Sequence, residues 1–115
     1  MLLAACVVTP VPVQSDLAPI TSPSPLYRLG SNVTLRTDMA AEQVLHAGTG
    51  WQRIGDIPQG AVYHTADQVV IVNSFSVFEA DIVVNGGNVV GFFIPVGRRY
   101  VAAHPAPISF KEESK

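Results

Sequence analysis

The chain has 115 residues, of which 48% are hydrophobic and only 14% charged, with a net charge of -2 and one cysteine. That length supports one small domain, and that hydrophobic content excludes a wholly disordered chain. Nucleic-acid binding has little to rest on, since Arg98-Arg99 is the only adjacent basic pair, and a lone cysteine cannot form an internal disulfide.

The chain opens on Met1-Leu2-Leu3-Ala4-Ala5-Cys6. Leu3-Ala4-Ala5-Cys6 resembles the lipobox of bacterial lipoproteins, where a leucine and two small residues precede a cysteine that is lipidated and becomes the mature N-terminus. Small residues let a signal peptidase approach the backbone, and a thiol can form a thioether with a diacylglycerol. The front of a signal peptide, a basic stretch and an apolar run of about 7 to 15 residues, does not precede it here. The resemblance implies that Cys6 is a membrane anchor. Val7 stands where an inner-membrane retention signal would have aspartate, which implies the outer membrane, facing the periplasm.

Residues 7–26 carry Pro10, Pro12, Pro19, Pro23 and Pro25 with no helical or strand period. Proline fixes φ and removes donors, so the expectation is a disordered, extended tether reaching on the order of 60 Å at about 3.1 Å per residue. The folded domain is expected over 27–110, with a frayed charged tail at 111–115.

Tyr27 to Thr37 reads as the first strand, with Gly30-Ser31-Asn32 as turn residues near its start. Asn32-Val33-Thr34 matches a glycosylation acceptor that matters only in a eukaryotic secretory setting. Asp38 to Gly48 fits either a two-turn helix capped by Asp38 or a loop leading into a strand at Gln43 to Ala47, and the β character of the chain beyond Gly48 favours the strand. Ile57-Pro58-Gln59-Gly60 suits a turn, with a strand at Trp51 to Ile57 before it and another at Ala61 to His64 after it. Val69 to Val72 is apolar on both faces, as a central strand is.

Residues 78–95 give the clearest signal. Asn85-Gly86-Gly87-Asn88 is a hairpin turn whose glycines supply positive φ, between runs of β-branched and aromatic residues. With Gly86 and Gly87 at its centre, Val84 faces Val89, Ile82 faces Gly91, Ala80 faces Phe93 and Phe78 faces Pro95. A period of two then puts Phe78, Ala80, Ile82, Val84, Val89 and Phe93 on one face, the core. Glu79 and Asp81 fall on the other, solvated face, together with Val90, Phe92 and Ile94. Three large apolar side chains there require a cover, either more of this chain or a partner, a second copy included. After Gly97-Arg98-Arg99, Tyr100 to Ala102 is a short strand, His104 to Pro107 an extended edge, and Ile108 to Phe110 a last short pair.

Six or seven short strands at spacings of about 8 to 12 residues, mostly antiparallel, make the fold class all-β, a small sandwich or partly closed barrel. Sites of chemistry are sparse. His46, His64 and His104 have no usual metal spacing, so no metal is expected, and no motif implies a cofactor. Glu79 and Asp81 could serve as an acid and base pair, but a solvated strand face accounts for them equally. Ser74 and Ser76 lack a nucleophile-elbow setting, and Gly86-Gly87 is followed by a strand where a phosphate loop needs a helix. Trp51 reads as a core plug.

The reading is a non-catalytic lipoprotein domain that binds a protein or glycan partner in the envelope. Its partner surface is expected among Val90, Phe92, Ile94, Tyr63, Arg98, Arg99 and Tyr100. The alternatives are a small envelope enzyme or ligand carrier using the barrel mouth, and an inhibitor or exclusion lipoprotein.

Overall fold

The computed structural model describes residues 13–36, 42–73 and 77–112. Regular structure among them is entirely β: β1 (Val13–Gln14), β2 (Ala18–Pro19), β3 (Tyr27–Leu29), β4 (Val33–Leu35), β5 (Gln43–Leu45), β6 (Gly50–Ile57), β7 (Gly60–His64), β8 (Ile71–Asn73), β9 (Val77–Glu79), β10 (Asp81–Asn85), β11 (Asn88–Ile94), β12 (Arg99–Pro107) and β13 (Phe110–Glu112). The all-β, antiparallel class forms as expected. The strands are more numerous than the pattern suggested, partly because Gly30-Ser31-Asn32 divides the first one into β3 and β4, which pair with different partners.

Nine strands form one sheet in the order β1-β12-β11-β10-β7-β6-β3-β13, with β2 also on β6; β4–β5 and β8–β9 are separate two-stranded units. The end strands β1 and β13 do not pair with each other, so the sheet is not a closed barrel. The ambiguous segment is a strand, β5, where described; Asp38 lies outside the described residues, as do Cys6, Ser74 and Ser76.

The β10–β11 hairpin turns as expected, with Asn85 opposite Asn88, Val84 opposite Val89, and positive φ at Gly86 and Gly87. The register then slips by one residue at Val90, so that Val83 faces Gly91, Ile82 faces Phe92 and Asp81 faces Phe93. A bulge of one residue inverts the alternation beyond it. Phe92 and Ile94 therefore join Ile82 and Val89 in the main core, at 2% and 3% exposure, while Phe93 goes to the opposite face. Val90, Phe92 and Ile94 thus do not form one row: this chain itself covers Phe92 and Ile94 as main core, the internal one of the two covers expected, and Val90 packs against the smaller cluster. Nor does the hairpin extend to Phe78, which pairs with Val72 in the β8–β9 unit. β6 carries the same device: its register slips at Ile54, between Arg53 and Gly55.

Two apolar layers result. On one face Trp51, Leu29, Ile82, Val89, Phe92, Ile94 and Val101 pack with Val33, Leu35 and Leu45 of the β4–β5 hairpin. Trp51 is the expected core plug, fully buried, with its Nε1 donating to Thr49 Oγ1 at 2.8 Å. Side-chain amides fasten the β4–β5 hairpin in place. Gln68 accepts from the His46 N–H at 2.9 Å and donates to the Val44 carbonyl at 3.1 Å, and Gln43 makes the same reciprocal pair with the N–H and carbonyl of Ile71. Each glutamine thus imitates a ladder partner where no strand is available.

On the other face Ile57, Val62, Val83 and Phe93 form a smaller cluster against which Leu17 and Val90 pack. Leu17 belongs to the stretch expected to be tether. From Val13 that stretch instead crosses the domain: β1 pairs with β12, Ser15 is buried and donates its N–H to the Arg98 carbonyl at 2.8 Å, and β2 pairs with β6. Extended, proline-bearing backbone is well suited to a sheet edge, where a missing donor costs little. At the other end, Lys111 and Glu112 of the expected frayed tail pair with Arg28 and Tyr27.

Candidate functional site

Strands β13, β3, β6 and β7 lie side by side, and this order brings together aromatic residues far apart in sequence. Tyr27 on β3, Tyr63 on β7 and Phe110 on β13 form a partly exposed cluster, with ring centroids 6.1 Å apart for Tyr27–Tyr63, 5.8 Å for Tyr27–Phe110 and 4.9 Å for Tyr63–Phe110. The Tyr27–Tyr63 pair meets edge to face, an arrangement the aromatic quadrupole favours. Burial pushes the Tyr63 hydroxyl above the usual tyrosine range, and nearby Tyr27 adds to the shift while Arg53 opposes it.

Arg53 sits directly opposite Tyr63 on β6. Its Nη2 bonds Asp56 Oδ2 at 2.5 Å, and that hydrogen bond, with the carboxylate's charge, raises the guanidinium further above its ordinary value. Its Nε is buried with no partner among the described residues. The bulge at Ile54 has a local consequence here, because it sets Arg53 and Asp56 three residues apart yet close enough to pair.

Between Ile20 and Leu26 the N-terminal arm leaves β6, and Ser24 Oγ accepts from the Arg53 N–H at 3.2 Å. The space under this loop is an open groove of about 460 Å³, lined by Pro19, Pro23, Pro25, Tyr27, Arg53 and Asp56 among others. A second hollow of about 310 Å³, on Ile20, Ser24, Gln52 and Ile54, adjoins it at Arg53 and Pro23. Tyr27 therefore serves both the groove and the aromatic cluster.

A second constellation lies at the end of β7. His64 Nδ1 is 2.6 Å from Asp81 Oδ1, with the carboxylate side chain 6% exposed and the imidazole 57% exposed. Burial pushes the Asp81 carboxyl above the usual carboxylate range; the His64 hydrogen bond and charge oppose this, and Glu79 adds to it. Asp81 was expected on a solvated face beside Glu79. The chain breaks at Ala80, whose N–H goes to the Val70 carbonyl, so the two carboxylates sit on different strands and only Glu79 is exposed. His64 separates two small cavities of about 140 and 170 Å³. An aspartate on Nδ1 fixes the tautomer with a basic Nε2 outward, the arrangement of a general base. No cluster of three metal-binding side chains occurs among the described residues.

The expected partner residues do not converge. Tyr63 lies in the aromatic cluster. Arg98 and Arg99 are exposed at the turn between β11 and β12, and Tyr100 is half-buried, its hydroxyl donating to the Val90 carbonyl at 3.0 Å. Strands β10 and β11 separate these from Tyr63. Sequence reading passed over Tyr27, Phe110, Arg53 and Asp56. The Arg53-Ile54-Gly55-Asp56 spacing was the one local signal, whereas the Tyr27–Phe110 contact joins the two ends of the domain. The chain matches no protein-family model, no curated protein and no solved structure, so the chemistry of these sites rests on their residues alone.

Proposed function

We propose that the chain is a lipid-anchored lipoprotein of the bacterial cell envelope, held through Cys6 in the outer membrane facing the periplasm, and that its small β domain is a non-catalytic module binding a glycan or protein partner. The Leu3-Ala4-Ala5-Cys6 sequence supports the anchor. The observation that carries the binding reading is one open groove holding a partly buried tyrosine ring, an arginine with donors beyond the one on Asp56, and a carboxylate. A sugar ring offers an apolar face for an aromatic ring and hydroxyls at its rim for charged hydrogen-bonding groups, and the groove holds both kinds of group.

The test has two arms. Titrating peptidoglycan fragments into the isotope-labelled full chain should move the amide signals of Tyr27, Arg53 and Asp56, and Arg53→Ala should weaken the effect at least tenfold. Perturbations centred elsewhere and indifferent to Arg53→Ala would overturn the groove as the site. For the anchor, Cys6→Ser, expressed behind a complete signal sequence, should move the protein out of the membrane fraction and remove the lipid mass; unchanged fractionation and mass would end that reading.

A further inference from the structure

The groove beside Arg53 is a gap in a ladder. β2 and β3 pair with the same edge of β6, Pro19 opposite Gly55 and Tyr27 opposite Trp51, so the arm spends seven residues, 20–26, where β6 spends three, 52–54. Ile20 still donates to the Ile54 carbonyl, and the six residues after it arch away. Pro23 and Pro25 have no N–H to give a ladder, and the Arg53 N–H is met instead by the Ser24 hydroxyl. Under the arch lie Tyr27 and the Arg53–Asp56 pair. Trp51, opposite Tyr27, is two positions from Arg53 on the same face of β6, so Tyr27 and Arg53 are diagonal neighbours about 7 to 8 Å apart. Of the ten residues that line the groove only Arg53 and Asp56 carry a charge, and they are bonded to each other at 2.5 Å. Both remain nearly half exposed, at 42% and 47%. Around them, Glu112 stands opposite Tyr27 on β13, and Arg28, next to Tyr27 in sequence, is engaged by Asp67 and the Gly48 carbonyl. The groove is therefore neutral, with an acidic neighbour.

Resting on the binding reading of this groove, we propose that its ligand is an uncharged pyranose sugar, held through two neighbouring ring hydroxyls on Asp56 and Arg53 with one ring face on Tyr27. The bond within the pair uses Arg53 Nη2 and Asp56 Oδ2, which leaves Arg53 Nη1 and Asp56 Oδ1 without partners among the described residues. A donor thus stands beside an acceptor. A vicinal diol is the complement, because one hydroxyl donates to the carboxylate while the other accepts from the guanidinium. Hydrogen bonds to ionised groups of this kind are roughly twice as strong as neutral ones. The C–H groups on a pyranose face suit the negative face of an aromatic ring, and the diagonal from Tyr27 to Arg53 matches the width of one sugar with its hydroxyls. A sugar acid fits poorly. Asp56 already balances Arg53, so a second carboxylate finds no unpaired cation and faces an acceptor of its own sign. A sugar whose adjacent hydroxyls are all substituted fits no better, since it brings Asp56 no donor. The groove is open, so the diol can belong to the terminal sugar of a longer glycan.

The experiment titrates the isotope-labelled full chain with three oligosaccharides of equal length. Cellotetraose is neutral and keeps its diols, its fully O-methylated form lacks them, and tetragalacturonate keeps diols but adds carboxylates. Cellotetraose should shift the amide signals of Tyr27, Arg53 and Asp56, and each of the other two should bind about tenfold more weakly or worse, the loss expected for one hydrogen bond to a charged group. Asp56→Ala removes the acceptor and leaves Arg53 uncompensated. It should weaken cellotetraose about tenfold and strengthen tetragalacturonate, an inversion of preference that a merely structural Asp56 would not produce. Either of the other two sugars binding the wild type as tightly as cellotetraose, or a preference unchanged in Asp56→Ala, would overturn the proposal. If none of the three moves the groove signals while peptidoglycan fragments do, this inference fails and the groove remains the binding site. If peptidoglycan fragments leave the groove untouched as well, the binding reading fails with it.

Discussion

Asp81 is where one residue's titration can be followed. Its carboxyl is buried and held above its ordinary value of 3.8, so the folded state takes up the proton more readily than the unfolded chain does. The contribution of Asp81 to stability is then fully present below about pH 3.8 and is lost as pH rises through the folded-state value. Asp81→Asn is neutral throughout. Thermal melts across this window should show the wild type losing stability relative to Asp81→Asn as pH rises, and two parallel curves would refute the assignment. His64→Ala sharpens the test, because the imidazole is what holds the carboxyl down. Without it the Asp81 titration seen by NMR should move further up.

Individual strands explain what could and could not be read in advance. The Asn85-Gly86-Gly87-Asn88 turn was legible because its chemistry is local: two consecutive positive φ angles call for glycine. The faces of β11 were not legible, because period-two alternation assumes an unbroken ladder. The bulge at Val90 depends on what lies across from it. Gly91 is pressed against β12, where a Cβ would come within 2.4 Å of the Val101 carbonyl and 2.6 Å of the Tyr100 ring. The same limit hid the candidate site, since Arg53 reaches Asp56 only through the bulge at Ile54, and Tyr27 meets Phe110 only because the two ends of the domain pair. One prediction separates a Phe92 buried within this chain from one left to a partner. Phe92→Ala should cost about 3 to 5 kcal/mol and Phe92→Asp should abolish the circular dichroism of the fold, as expected for a side chain 2% exposed. Were Phe92 on an outer face covered only by a partner, neither change would unfold the domain. Val90→Ala, at a partly buried position, should cost well under the Phe92→Ala value in the same urea titration.

At the scale of the whole molecule, the N-terminal arm makes a one-sided sheet into a two-layered domain. The main core needs only the sheet and the β4–β5 hairpin, but Ile57, Val62, Val83 and Phe93 on the opposite face are covered in part by Leu17. Position 55 is matched to that crossing. A Cβ on Gly55 would lie 2.4 Å from the Ala18 carbonyl oxygen and 2.9 Å from Leu17 Cδ1, and its nearest neighbours all belong to the arm. Gly55→Ala should therefore lift the arm and spare the sheet. In hydrogen exchange, the Ser15 amide, bonded to Arg98, and the Ile20 amide, bonded to Ile54, should lose protection while Val62 and Val83 keep most of theirs. Removing residues 1–20 goes further, exposing the small cluster and lowering unfolding free energy by roughly 1 to 3 kcal/mol for one partly buried leucine and the lost edge bonds. A hydrophobic dye should bind the truncated chain and not the intact one. If Ser15 and Ile20 exchange as freely in the wild type as in Gly55→Ala, and truncation changes neither stability nor dye binding, the arm is not part of the fold. The long tether read from its prolines would then be restored, reaching on the order of 60 Å.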